Sequence, residues 1–226
     1  MTPILLTPHT VHVWRANLDE YTSTPVLSPD EQLRAKSFVR PIHQKRFAAA
    51  RSFLRHVLAR YLQQPPQTLT FQYTHYGKPY LPGSSVYFNL SHSQQWALCA
   101  ISLEEKIGID IEEINQEKDV EKIAVRFFSD YENQLLHETP ADKKHEAFFR
   151  IWTCKEAFIK AVGEGLSFPL KEFDVHIDEH SARLISIYQD EKEAQQWSCV
   201  VLDPTENYAA TVVAKTAIKK VELFEI

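Results

Sequence analysis

The chain has 226 residues, of which 44% are hydrophobic, and its 30 acidic side chains outnumber 25 basic ones to give a net charge of −5. That length can bury a substantial core, as one large domain or as two small ones packed together. The acidic balance argues against general nucleic-acid binding, and no apolar run approaches the ~20 residues of a membrane helix.

In chain order, a strand is expected over residues 10–18. Ser28, followed by Pro29, Asp30 and Glu31, has the composition of a helix start. A long helix is expected over 42–63, stopped by Pro65-Pro66. Strands follow near 69–74, 86–90 and 95–102, with the turn-rich YGKPYLPGSS between the first two. The second stretch opens with a strand at 107–113. It continues with helices near 119–126, 129–138 and 145–162, then strands near 172–178, 182–189, 196–202 and 207–214. Short turns between strands imply antiparallel pairing, so the class is α+β. The expected organisation is two comparable halves, 1–104 and 105–226, packed together without a long linker.

The opening Met1-Thr2-Pro3-Ile4-Leu5-Leu6 lacks the basic leader and apolar stretch of a secretion signal. Cys99, Cys154 and Cys199 are widely spaced and embedded in apolar sequence. Reduced structural thiols in a cytoplasmic protein fit that usage, and the absence of CxxC spacing argues against zinc. Charge is unevenly spread. Between Glu31 and Arg60 the cations Arg34, Lys36, Arg40, Lys45, Arg46, Arg51, Arg55 and Arg60 accompany one acid, whereas Glu104, Glu105, Asp110, Glu112, Glu113, Glu117, Asp119 and Glu121 crowd the stretch after Ser102. A basic half receiving phosphates and an acidic half holding a metal would meet at their junction; a solvated helix face has the same composition.

Two segments carry candidate chemistry. In IGIDIEEI, 107–114, Ile107, Ile109 and Ile111 alternate with Gly108, Asp110 and Glu112, so both carboxylates project from one face of a half-buried strand. Like charges roughly 7 Å apart repel, and a hard, oxygen-loving cation such as magnesium would relieve them. A solvated face or a charge-protected edge strand has the same pattern. In WTCKEAFIK, 152–160, Glu156 and Lys160 lie one helical turn apart on one face, near Phe149, Trp152 and Thr153. An ordinary surface ion pair has this spacing too, and Gly163 and Gly165 supply the helix stop.

Tyr76-Gly77-Lys78-Pro79, Phe88-Asn89-Leu90-Ser91-His92-Ser93, Ile107-Gly108-Ile109-Asp110-Ile111-Glu112, Arg126-Phe127-Phe128-Ser129 with Glu132, and Trp152 to Lys160 occur in this order over almost the whole chain. In these motifs the chain resembles the surfactin-synthetase-activator (Sfp) type of 4'-phosphopantetheinyl transferases. The resemblance implies a pseudo-twofold pair of similar α/β halves with coenzyme A bound between them. It also implies transfer of the phosphopantetheine arm to a serine of an apo acyl, peptidyl or aryl carrier protein, with release of 3',5'-ADP, by a monomeric enzyme. Carried over by motif, Asp110, Glu112 and Glu156 would hold magnesium. Lys78, Ser91, His92, Lys155 and Lys160 would contact coenzyme A, and Arg51 its 3'-phosphate, with Arg34 as a further candidate. Glu31 departs from the family, some of whose members carry a basic residue there.

Attack by a serine oxygen on the β-phosphoryl group needs alignment and charge neutralisation. Lys160 is placed to stabilise the leaving phosphate. The base that takes the serine proton is left open among Glu156, Glu132 and a water on the metal, and Glu132 is equally the third helical residue of a capping box begun by Ser129. A metal-dependent phosphohydrolase of a small nucleotide would use the same Asp110, Glu112, Glu156 and Lys160, and an inactive coenzyme A- or carrier-binding module is the remaining alternative.

Overall fold

The computed structural model describes residues 4–22, 26–178 and 180–226; Met1, Thr2 and Pro3, part of the opening segment read above as lacking a secretion signal, lie outside the described residues. The first half runs β1 (Thr10–Asn17), α1 (Pro29–Lys36), α2 (Pro41–Leu62), the two-residue strands β2 (Gln72–Tyr73) and β3 (Pro79–Tyr80), then β4 (Tyr87–Ser93) and β5 (Trp96–Ser102). The second half runs β6 (Ile107–Glu113), α3 (Val120–Phe127), α4 (Asp130–Glu138), α5 (Lys144–Val162), β7 (Phe173–Ile177), β8 (Ala182–Ile187), α6 (Glu191–Ala194), β9 (Ser198–Leu202) and β10 (Tyr208–Ala214). A last strand, β11 (Lys220–Glu225), follows.

The two halves share one topological plan. In the first, β5 pairs antiparallel with both β1 and β4; in the second, β10 pairs antiparallel with both β6 and β9. Each half thus places its last strand between its first and its penultimate one, with a long helix and a two-stranded hairpin inserted before the closing pair. The α+β class with antiparallel sheets and paired halves is observed. β11 was not expected. It lies parallel to β1, from Thr10↔Lys220 to Arg15↔Glu225, so the end of the second stretch of sequence completes the first half's sheet. The strand expected at 69–74 shrinks to Gln72–Tyr73.

Packing follows from side-chain alternation. Val11, Val13, Leu98, Ala100, Ile107, Ile109, Ile111 and Val212 form a core between the two sheets. On the outer side of the first sheet, Trp14, Phe88 and Ile101 meet Phe53, Leu54 and Leu58 of α2. On the outer side of the second, Val213 and Cys199 meet Cys154, Ala157 and Phe158 of α5. The layers are therefore helix, sheet, sheet, helix. Because Ile107, Ile109 and Ile111 face inward, Gly108, Asp110 and Glu112 must face α5. Gly108 shows how close that approach is: a Cβ there would lie 2.0 Å from the Ala157 carbonyl oxygen and 2.5 Å from the Ala161 nitrogen. Among the described residues no helix is long and apolar enough to cross a membrane.

Candidate active site

β4 and β6 are edge strands of different sheets that run side by side without a backbone ladder. Asn89, Ser91 and Ser93 project from one face of β4 at period two, and each bonds to β6. Asn89 Oδ1 accepts the Ile109 N–H at 2.9 Å, Ser91 Oγ donates to Asp110 Oδ1 at 2.8 Å, and Ser93 Oγ accepts the Glu113 N–H at 3.1 Å while donating to Glu112 Oε2 at 3.0 Å. The junction of the halves is thus built of side chains, and Asp110 lies at its centre.

α5 closes the site. Thr153 Oγ1 lies 3.0 Å from Thr211 Oγ1, and Thr211 is the cross-strand partner of Asp110, so this contact sets the helix over that carboxylate. One and two turns further along, Glu156 and Lys160 reach the junction. The Lys160 ammonium donates to Asp110 Oδ1 at 2.6 Å and to Ser91 Oγ at 2.9 Å, closing a ring of hydrogen bonds between the halves. Lys160 stays partly open to solvent whereas Asp110 is buried. Burial, and then the neighbouring Asp110 charge, pushes the carboxyls of Glu112 and Glu156 above their ordinary range.

The remaining candidates separate into those near this ring and those apart from it. The His92 side chain is reached by solvent; crowding by surrounding protein, and then the charges of Lys160 and Arg46, lower its pKa. Arg46 of α2, a member of the basic run, forks onto Asp19 at 2.9 and 2.8 Å and donates to Gln94 Oε1 at 3.1 Å. Arg51, the expected phosphate contact, is buried instead, its guanidinium on Glu31 at 2.6 Å, and Arg55 meets the same carboxylate at 2.8 Å. Burial opposes the charge on Glu31, but the two guanidinium groups hold its pKa below the ordinary value. The acid that departs from the family thus neutralises the arginine expected to bind phosphate. Arg34 lies over the Phe47 ring.

Glu132 and Lys155 are likewise set apart from the ring. Both side chains are 0% exposed, with Nζ 2.5 Å from Oε1. Lys155 also donates to the Phe173 carbonyl at 2.8 Å, and Glu132 accepts the N–H groups of Ser129 and Val175. Glu132 is the capping-box residue of α4, and this buried pair ties α4, α5 and β7 together. Lys78 sits at the edge of a cleft of about 360 Å³ bordered by Tyr87, Phe88, Lys106 and Gly163, with its ammonium on main-chain carbonyls.

The carboxylates are not drawn into a closed ligand shell: among the described residues, no group of three or more His, Cys, Asp or Glu side chains is gathered to hold a metal ion. Asp110 Oδ1 is occupied by Ser91 and Lys160, and Glu112 by Ser93. Two observations nevertheless fit a hard dication. Asp110 Oδ2 is buried without a hydrogen-bond partner, and the mutual repulsion of Asp110, Glu112 and Glu156 is an excess of negative charge that oxygen-ligated magnesium would neutralise.

The sequence profile of the 4'-phosphopantetheinyl transferase superfamily matches residues 106–213, and that of the 4'-phosphopantetheinyl transferase N-terminal region matches residues 12–104. The 4'-phosphopantetheinyl transferase HetI of Nostoc sp. is 39% identical over 211 residues, covering 89% of this chain and 86% of its own. The 4'-phosphopantetheinyl transferase Sfp of Bacillus subtilis is 33% identical over 176 residues, covering 72% of this chain and 77% of its own. Alignment at this identity over nearly the full length of both chains means that the protein belongs to the 4'-phosphopantetheinyl transferase superfamily.

Proposed function

We propose that the chain transfers the 4'-phosphopantetheine arm of coenzyme A to a serine hydroxyl of an apo acyl, peptidyl or aryl carrier protein, releasing 3',5'-ADP, as a magnesium-dependent cytoplasmic enzyme working as a single chain. Family membership supports the reaction class, and the carboxylate and ammonium cluster at the junction of the halves supports the mechanism. The observation that carries it is the Ser91–Asp110–Lys160 ring, with the unpartnered Asp110 Oδ2 beside it.

Asp110, Glu112 and Glu156 are the residues for magnesium, which when bound supplies positive charge to the pyrophosphate of coenzyme A. Lys160 is held by Asp110 and Ser91 in a fixed direction. Its ammonium can neutralise charge growing on the departing phosphate without rearranging, which is where a preorganised cation lowers a barrier most. The serine proton can pass to Glu156 or to a water on the metal; the burial of Glu132 against Lys155 favours these two over Glu132. On the first half's side His92, held toward its neutral form by burial and by Lys160 and Arg46, can offer a ring N–H to a phosphate oxygen, whereas Arg46 is committed to Asp19. The test is mass spectrometry of an apo carrier protein incubated with the chain, coenzyme A and magnesium chloride. A gain of one phosphopantetheine group on the carrier is expected. Nucleotide turnover without modification of the carrier would reject the assignment in favour of a phosphohydrolase.

A further inference from the structure

The Lys78 side chain leaves the hairpin formed by β2 and β3 and ends on two carbonyl oxygens from the other half: Ile107 at 3.0 Å and Ala161 at 3.4 Å. Ile107 opens β6, three residues before Asp110, and Ala161 lies in the last turn of α5, next to Lys160. A carbonyl in the last turn has no acceptor role left within its own helix, and a lysine ammonium satisfies it while complementing the negative end of the helix dipole. Gly163, in left-handed backbone at φ 87°, ends the helix beside the lysine stem, where a Cβ would meet Lys78 Cδ at 3.6 Å.

We infer that Lys78 is a positioning residue: its ammonium clamps the start of β6 to the end of α5 and so fixes the spacing between Asp110 and Lys160, rather than binding a phosphate directly. Two of the ammonium's three N–H donors are committed to these carbonyls, so the group spends most of its hydrogen-bonding capacity within the protein. Burial lowers its pKa to about 8, against Glu105 which raises it and with Lys106 which lowers it further, so the group is an ammonium near neutral pH. The effect on turnover rests on the transferase assignment above; the effect on the fold does not.

The decisive variant is Lys78→Met, which keeps the stem over Gly163 and removes both hydrogen bonds. In ligand-free protein, amide hydrogen exchange at residues 107–111 and 159–163 should quicken by about tenfold or more while other core amides hold. In the transfer assay kcat should fall by about tenfold with KM for coenzyme A within about twofold, since the loss is of alignment and not of a ground-state contact. Unchanged exchange at both segments overturns the clamp, as does a raised KM for coenzyme A with kcat preserved, the signature of a direct phosphate contact. If Lys78→Met does not fold, Lys78→Arg, which retains a cation able to reach carbonyls, decides: near-normal exchange supports the clamp, and wild-type turnover together with loosened segments refutes it. A chain that transfers nothing even as wild type would sink the transferase assignment, while the exchange measurement would still decide the clamp.

Discussion

Replacing Lys155 by methionine should destabilise the fold far more than a surface lysine would. The substitution leaves Glu132 in a site with no exposed atom, facing only the N–H groups of Ser129 at 2.9 Å and Val175 at 2.8 Å, and strips the Phe173 carbonyl of its donor. Breaking one side of a buried pair costs about 3–5 kcal/mol. For a chain of this size each kcal/mol lowers Tm by about 2–4 °C, so a drop of roughly 6–20 °C is expected. The double variant Glu132→Gln with Lys155→Met should lose less than the sum of the singles, with a coupling of roughly 1–3 kcal/mol. A pH dependence follows as well. Burial already raises the Glu132 pKa, and removing its cation raises it further. A carboxyl whose folded pKa exceeds its unfolded one contributes stability that is complete below about pH 4 and lost as pH rises through the folded value. Urea denaturation of Lys155→Met should therefore show lower stability at pH 8 than at pH 5, relative to wild type. A loss under about 1 kcal/mol, or a loss of coenzyme A affinity without loss of stability, would show that Lys155 belongs to the ligand site and not to the core.

Asp110→Asn should lower transfer by about 100-fold or more, about 2.7 kcal/mol of barrier, and should bring the Glu156 carboxyl back toward its ordinary pKa; a carboxyl NMR titration in which Glu156 does not move would contradict the shared-charge description of the site. Glu112 and Glu156 have raised folded pKa values, so the stability they contribute is present at low pH and lost as pH rises through those values. Magnesium at about 100 times its Kd should restore about 2.7 kcal/mol at pH 8, visible as a rise in Tm of roughly 5–10 °C; a Tm indifferent to magnesium, or equally responsive in Asp110→Asn, would remove these carboxylates as the metal site. Gly108→Ala should prevent normal seating of α5, since its methyl would collide with main-chain atoms of Ala157 and Ala161, and soluble protein with unchanged Tm would show that the helix sits further from β6 than described.

Much of the frame was legible because it depends on alternation and helix punctuation. Ile107, Ile109 and Ile111 fixed which face of the strand carries Asp110, and α5 began and ended within a residue of its expected limits. The candidates that lie apart from the ring share a geometric cause. Arg46 and Arg51 lie five residues apart on α2, as Lys155 and Lys160 do on α5, which turns one about 140° from the other around the axis. A helix that is buried on one side and borders a cleft on the next gives both cations a reason to exist, and spacing alone does not say which one looks at the ligand. Glu31 was visible as an exception to the basic run, but only its burial shows that it is there to neutralise Arg51 and Arg55. β11 escaped notice because its partner, β1, is at the opposite end of the chain, a pairing that no local pattern announces.

The junction between β4 and β6 has a consequence for how such a protein can diversify. A backbone ladder binds strands regardless of sequence, and the β1–β11 pairing joins the two stretches of sequence that way; the contact between β4 and β6 is of another kind. Here the seam is written in Asn89, Ser91 and Ser93, and the last two of them bond to the same carboxylates that form the site. A point substitution at Ser91 or Ser93 therefore acts on the contact between the halves and on the carboxylates of the reaction centre in a single step, while the backbone ladders of both sheets remain.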